Sequence, residues 1–104
     1  MVFKENDFLD EELSQEMIDI GLNEECPYIM IYEAQKWFRE RGINIDVRYN
    51  YISKYYFATV CDDNDWFETV RNGSHNTMYA TYESALTDAI RCAIVHYKEI
   101  NKLK

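Results

Sequence analysis

The clearest pattern in the chain is an alternation of apolar and polar residues over INIDVRYNY, residues 43–51. A period of two over this length predicts a β-strand with one face buried. Tyr49 and Tyr51 fall on the predicted core face. We therefore expect them to form the wide end of the core, with their hydroxyls at its rim.

Further strands are predicted downstream. Ile52-Ser53-Lys54 is a turn, and YYFATVC at 55–61 is apolar on both faces, as a central strand would be. DDND at 62–65 is predicted to be a loop and WFETV at 66–70 a third strand. Asn72-Gly73 is a strong hairpin signal, and a short fourth strand is expected near 76–80.

Apolar residues with helical spacing predict three helices. Leu9, Leu13, Met17 and Ile20 indicate an acidic amphipathic helix at 10–20, after a loose lead-in at 1–9. A second helix starts at Ile31 and is ended by Gly42. Thr81 can cap the last helix, whose apolar face includes three alanines, at 85, 89 and 93, that would let it lie close to the sheet.

The predicted order is thus α-α-β-β-β-(β)-α. The chain has 104 residues, a length typical of a single domain, which we expect to span 1–104. Hairpin-length connections favour antiparallel pairing. The sequence predicts an α+β fold, with an antiparallel sheet of three to four strands and helices packed on one face.

Charge is concentrated near the start of the chain. Residues 1–25 hold nine acids and one base and carry the whole net charge of −8, while the remainder is balanced. A negative field repels phosphate and anionic lipid, so we expect neither direct nucleic-acid binding nor membrane binding. The acidic helix is a candidate site for a basic protein partner, through Glu11, Glu12, Glu16 and Asp19.

A second candidate surface is aromatic. Tyr55 and Tyr56 must point to opposite faces of the sheet, so one of them lies on the far side, where Trp66 or Phe67 could join it. Aromatic anchors with a polar rim are typical of protein interfaces. We take Tyr55 and Trp66 as candidate partner-binding residues. Base stacking on this patch is disfavoured, because acids flank it.

The sequence carries no complete catalytic or metal-binding motif. DDND fails the calcium-loop pattern, because Trp66 and Phe67 stand where a ligand and a glycine are needed. A zinc site could be built from Cys61, His75, Cys92 and His96, although no paired-ligand motif supports it. Neither histidine has a recognisable nucleophile or base motif. The sequence therefore predicts a non-enzyme without cofactor.

The first residues and the cysteines bear on the cellular location. MVFKENDFLDEE lacks the basic and apolar segments of a signal peptide. An odd number of cysteines, three, indicates reduced thiols. We expect a cytoplasmic protein.

Three stretches carry a resemblance: GLNEECPY, then YEAQKWFRERGINIDV with a tyrosine-rich strand, then YATYESALTDAI. Together they resemble small uncharacterised proteins found in gut Bacteroides-type bacteria and their phages. The resemblance covers most of residues 20–100 and brings no activity, cofactor or catalytic residue. It implies an accessory protein of a phage or mobile element, a class whose small acidic members often act by binding a host protein.

The function expected from these features is a non-enzymatic protein-binding or regulatory module. One alternative is a phage-type inhibitor that mimics nucleic acid and blocks a host nuclease or DNA-binding protein. Another is a small enzyme with an unrecognised site. The partner could also be a second copy of the chain, giving a homodimer.

Overall fold

The computed structural model describes residues 9–22, 30–64, 66–71 and 77–102. Their order is α-α-β-β-β-α, which confirms the predicted α+β class. The elements are α1 (Glu11–Asp19), α2 (Ile31–Arg39), β1 (Ile43–Asn50), β2 (Tyr55–Asp62), β3 (Phe67–Thr69) and α3 (Tyr82–Lys102).

The three strands form one antiparallel sheet in the order β1-β2-β3, with β2 in the centre as predicted. Beyond β3, Tyr79 returns to the same side of β2 and exchanges two backbone hydrogen bonds with Tyr56, each 2.8 Å long. The predicted fourth strand is thus reduced, in the described residues, to this single bridge. Asn72-Gly73 lies outside the described residues.

The core lies between the sheet and the helices. Ala58 and Val60 of β2 are fully buried on the face that α3 covers, while α2 packs on β1 and α3, and α1 packs against α3. Ala85, Ala89 and Ala93 are completely buried along α3, as predicted for a helix lying close to the sheet. Short side chains allow this approach because they leave little bulk between the helix axis and the strands.

Side-chain hydrogen bonds cap both α1 and α3, and the Thr81 cap of α3 is the one that the sequence predicts. The Asp10 carboxylate accepts the backbone N–H of Leu13 at 2.8 Å, and the Thr81 hydroxyl accepts that of Ser84 at 3.1 Å. Each bond satisfies a donor that the helix cannot pair internally. Leu9, placed in the predicted lead-in, is buried in the core. Residues 1–8 of that lead-in lie outside the described ones.

One prediction about β1 is wrong. Tyr51 was expected on the core face, but β1 ends at Asn50 and Tyr51 lies in the following turn, 73% exposed. The Asn50 side chain accepts the backbone N–H groups of Ile52 and Ser53, and this local turn stops the strand. Tyr49 does lie on the helix side, at the exposed end of the core.

Candidate functional site

The face of the sheet that turns away from the helices carries aromatic side chains. Tyr55 and Phe57 alternate with the buried Ala58 and Val60 along β2, so they point to this face. Phe67 pairs with Cys61 and therefore lies on the same face of the sheet. Tyr55 is 43% exposed and Phe67 64% exposed, while Phe57, which pairs with Arg48 of β1, is half-buried. We call this surface the free face.

The sequence left Trp66 and Phe67 as alternatives for the free face, and the structure places Phe67 there. The candidate residue Trp66 lies on the helix side instead. Its backbone carbonyl accepts the N–H of Asp62, and its own N–H donates to the Asp62 carboxylate. Residues paired across antiparallel strands share a face, so Trp66 follows Asp62 towards the helices.

Asp62 and His96 form a largely buried pair that sequence reasoning missed. His96 Nε2 lies 2.6 Å from Asp62 Oδ2, and the two side chains are 12% and 7% exposed. The Trp66 ring stacks on the imidazole with centroids 3.5 Å apart. The hydrogen bond with His96, joined by those from Asn64 and Trp66, holds the pKa of Asp62 below its ordinary value. Asp62 was assigned to a loop; extending the alternation of β2 by one residue would have placed it on the helix side.

Cys92 lies one helical turn before His96 and faces Glu68 of β3. Its thiol is 3.5 Å from Glu68 Oε2. Burial, the nearby Glu68 charge and this hydrogen bond raise the pKa of Cys92 to about 12. The thiol is therefore protonated at neutral pH and is a poor nucleophile, since the thiolate is the reactive form.

The described residues do not assemble the zinc site considered from the sequence. Cys61 points to the free face, whereas Cys92 and His96 line the helix side, so the sheet separates them. His75 lies outside the described part of the chain. Among the described residues, no three side chains of metal-ligand type converge.

A groove runs between β3 and α3. One part, of about 440 Å³, is lined by Trp66, Glu68, Cys92, Val95, His96 and Glu99. A second part, of about 310 Å³, shares Glu68, Cys92 and Val95 and continues past Val70 towards Arg71 and Arg91. We call the two parts together the β3–α3 groove.

The tyrosines on the helix side form a connected row. Tyr49 meets Tyr56 with ring centroids 5.0 Å apart, Tyr56 meets Tyr82 at 6.1 Å, and Tyr82 meets Tyr32 at 6.4 Å. Tyr56 and Tyr82 are half-buried against the core, while the two end members are exposed. The row thus extends the core to the surface, as expected for Tyr49.

The acidic candidate residues lie together on α1. Glu11, Glu12 and Asp19 are exposed and Glu16 is half-buried, while Leu13 and Met17 pack into the core. The helix is therefore docked by its apolar side and presents its carboxylates outward. Because α1 packs on α3, these acids lie on the helix side of the sheet, away from the free face.

None of the protein-family models, curated proteins and solved structures compared with the chain matches it. Among the described residues, no helix combines the length and the apolar character needed to cross a membrane.

Proposed function

We propose that the chain is a non-enzymatic protein-binding module that docks another protein on its free face. The observation that carries this proposal is the exposure of Phe67 and Tyr55 on a sheet face that none of the described helices covers. Large apolar side chains grouped on a surface mark interaction sites more often than isolated ones do.

The surroundings of these aromatics suit an interface. Thr59 and Thr69 pair beside Phe67, and Arg48 Nε bonds to Asp46 Oδ2 at 2.6 Å on the neighbouring strand. The exposed aromatics therefore have polar neighbours on the same face, and protein interfaces combine aromatic anchors with polar surroundings.

The acidic side of α1 would select and steer the partner. Its carboxylates stand on the helix side, so they act at a distance from the free face, through the electric field of the protein. Such a field accelerates the approach of a basic protein and is screened by salt. A basic host protein in the cytoplasm is the partner class that fits both surfaces and the resemblance to phage and mobile-element proteins.

The chemistry of the described polar cluster supports a binding role over a catalytic one. Cys92 has a neighbour, His96, that could act as a base, but its raised pKa keeps the thiol protonated. His96 Nε2 is engaged by Asp62, and Trp66 covers one face of the imidazole. These contacts tie the end of β2 to α3 as a structural joint.

The test is capture of a partner from a Bacteroides lysate, followed by measurement of its affinity in purified form. Phe67→Ser should weaken binding tenfold or more, because it removes an exposed aromatic anchor. Tyr51→Ser is the matched control, since Tyr51 is at least as exposed as Phe67 but lies in the turn outside the free face. Equal loss in both variants, or none in Phe67→Ser, would remove the free face from the mechanism.

The salt dependence of binding measures the contribution of α1 to partner association. Replacing Glu11, Glu12 and Glu16 by Gln should slow association at low salt and flatten its salt dependence, with little change in the dissociation rate. Salt-insensitive binding by the unmodified protein would show that the acidic helix plays no part.

A further inference from the structure

We propose that an extended segment of the partner adds as a strand to the outer edge of β3 and lays side chains into the β3–α3 groove. This inference rests on the proposed protein-binding function and names its mode. The occupant is a segment of a basic protein, with an apolar residue followed two positions later by Lys or Arg. Strand addition of this kind uses main-chain hydrogen bonds for affinity and alternate side chains for specificity.

The hydrogen-bond pattern of β3 leaves its outer edge open. Val70 donates its N–H to the carbonyl of Ala58 at 2.9 Å, and Trp66 accepts the N–H of Asp62 at 3.0 Å. Backbone groups in a strand alternate in direction, so those of Phe67 and Thr69 point away from β2. No hydrogen bond to these outward groups is seen among the described residues. They can pair with a new strand.

The other edge of the sheet is not open in the same way. On β1, the outward carbonyl of Ile45 already accepts a hydrogen bond of 3.0 Å from the Gln35 side chain of α2. A charged pair, Asp46 and Arg48, follows on the same strand. Side chains that occupy or charge an edge discourage pairing with another chain, so β3 is the favoured edge.

The β3–α3 groove provides space and an apolar wall for the side chains of the added strand. Val95 lines both parts of the groove and is 58% exposed, although it sits in a helix whose other apolar residues are largely buried. Val70 and Cys92 lie beside it. A medium-sized apolar side chain opposite Val70 would cover Val95 and remove its surface from water.

Charge determines what enters the Trp66 end of the groove. Glu68 and Glu99 line that end, and no Lys or Arg stands among the described residues that line it. At the other end Arg91 is paired with Asp88 at 2.6 Å. A Lys or Arg opposite Glu68 would satisfy both carboxylates. An antiparallel strand runs from the Arg71 end to the Trp66 end, so this basic residue follows the apolar one.

The test uses a library of acetylated and amidated seven-residue peptides with Val at the third position and Lys at the fifth, other positions being random. Peptides selected on the full chain should bind and slow the amide hydrogen exchange of Phe67 and Thr69. Thr69→Pro should abolish binding, because it removes an outward N–H that the fold does not use; edge strands tolerate proline for this reason. Thermal unfolding confirms that the variant is folded.

Charge reversal gives a second readout that does not depend on proline. The double substitution Glu68→Lys and Glu99→Lys should weaken binding of the Lys peptides at least tenfold and favour the same peptides with Glu at the fifth position. Unchanged preference would overturn the assignment of a basic residue to this end.

The outcomes separate this inference from the function on which it rests. Peptides that bind equally to Thr69→Pro, or a library without binders, would overturn strand addition. Loss of partner binding in Phe67→Ser would still support docking on the free face in that case. Self-association of the unmodified chain that Thr69→Pro abolishes, measured by light scattering, would overturn the assignment to a different protein. A partner insensitive to both substitutions would overturn both proposals.

Discussion

His96 Nε2 and Asp62 Oδ2 lie 2.6 Å apart, although 34 positions separate these residues in the sequence. The contact joins the last residue of β2 to the middle of α3. The same Asp62 carboxylate also accepts the N–H groups of Asn64 and Trp66, so one side chain organises the turn into β3 and anchors it to the helix. The position of β3, and with it both proposed binding surfaces, depends on this joint.

The first prediction concerns acid stability. The pKa of Asp62 is held below its ordinary value of 3.8, chiefly by the hydrogen bond with His96. A carboxyl whose pKa is lower when folded stabilises the fold above its unfolded pKa, and this contribution is lost as pH falls through the folded value. Asp62→Asn should therefore lower the free energy of unfolding at pH 7 and flatten its fall below about pH 4.

Urea denaturation at neutral and acidic pH measures this effect. Asp46→Asn is the matched control, because Asp46 forms a short but exposed ion pair with Arg48. Exposed pairs contribute little, so its unfolding profile should follow the unmodified protein. Identical profiles for Asp62→Asn and Asp46→Asn would contradict the structural role of the joint.

The second prediction concerns the reactivity of Cys92. Burial and the charge of Glu68 raise the pKa of this thiol to about 12. Glu68→Gln removes the charge, lowers the pKa and should speed alkylation of Cys92 by iodoacetamide several-fold at pH 8, as measured by peptide mass spectrometry. Glu99→Gln, in the same part of the groove, is the control. Equal rates in the two variants would disprove the pairing.

The third prediction concerns the start of α3. The Thr81 hydroxyl accepts the backbone N–H of Ser84 at 3.1 Å. Thr81→Ala should reduce the free energy of unfolding by about 1 kcal/mol, because that donor at the helix terminus loses its partner. Thr81→Ser retains the oxygen and should lose much less. A Ser variant as unstable as the Ala variant would place the effect outside the cap.

The fourth prediction concerns the contact between α3 and the sheet. Ala89 is fully buried, and a larger side chain there must push the helix away from the strands. Ala89→Leu should destabilise the fold by about 1–3 kcal/mol in urea denaturation, the usual cost of overpacking. Val95→Leu, on an exposed position of the same helix, should change stability by less than about 0.5 kcal/mol. A stable Ala89→Leu variant would show that the alanines do not set the helix–sheet distance.

The elements and their order were predictable from the sequence because their causes are local. A period of two residues identified β1, and a period of 3.6 residues identified α3. Thr81 was recognisable as the residue that caps α3. The apolar character of β2 on both faces predicted its central place. The prediction failed at Tyr51, where a turn closed by Asn50 stopped the strand before the alternation ended.

The candidate surfaces could be predicted from the sequence only in part. The outward carboxylates of α1 follow from periodicity within one element, whereas the alternation of β2 showed only that Tyr55 and Tyr56 lie on opposite faces of the sheet. The choice between Trp66 and Phe67 is set by how β3 pairs with β2. The contacts of Glu68 with Cys92 and of Asp62 with His96 are set by how α3 packs against these two strands. These contacts join residues that are 24 and 34 positions apart in the sequence. Only the tertiary structure determines them, because periodicity within one element does not show which residue of a distant element lies beside it.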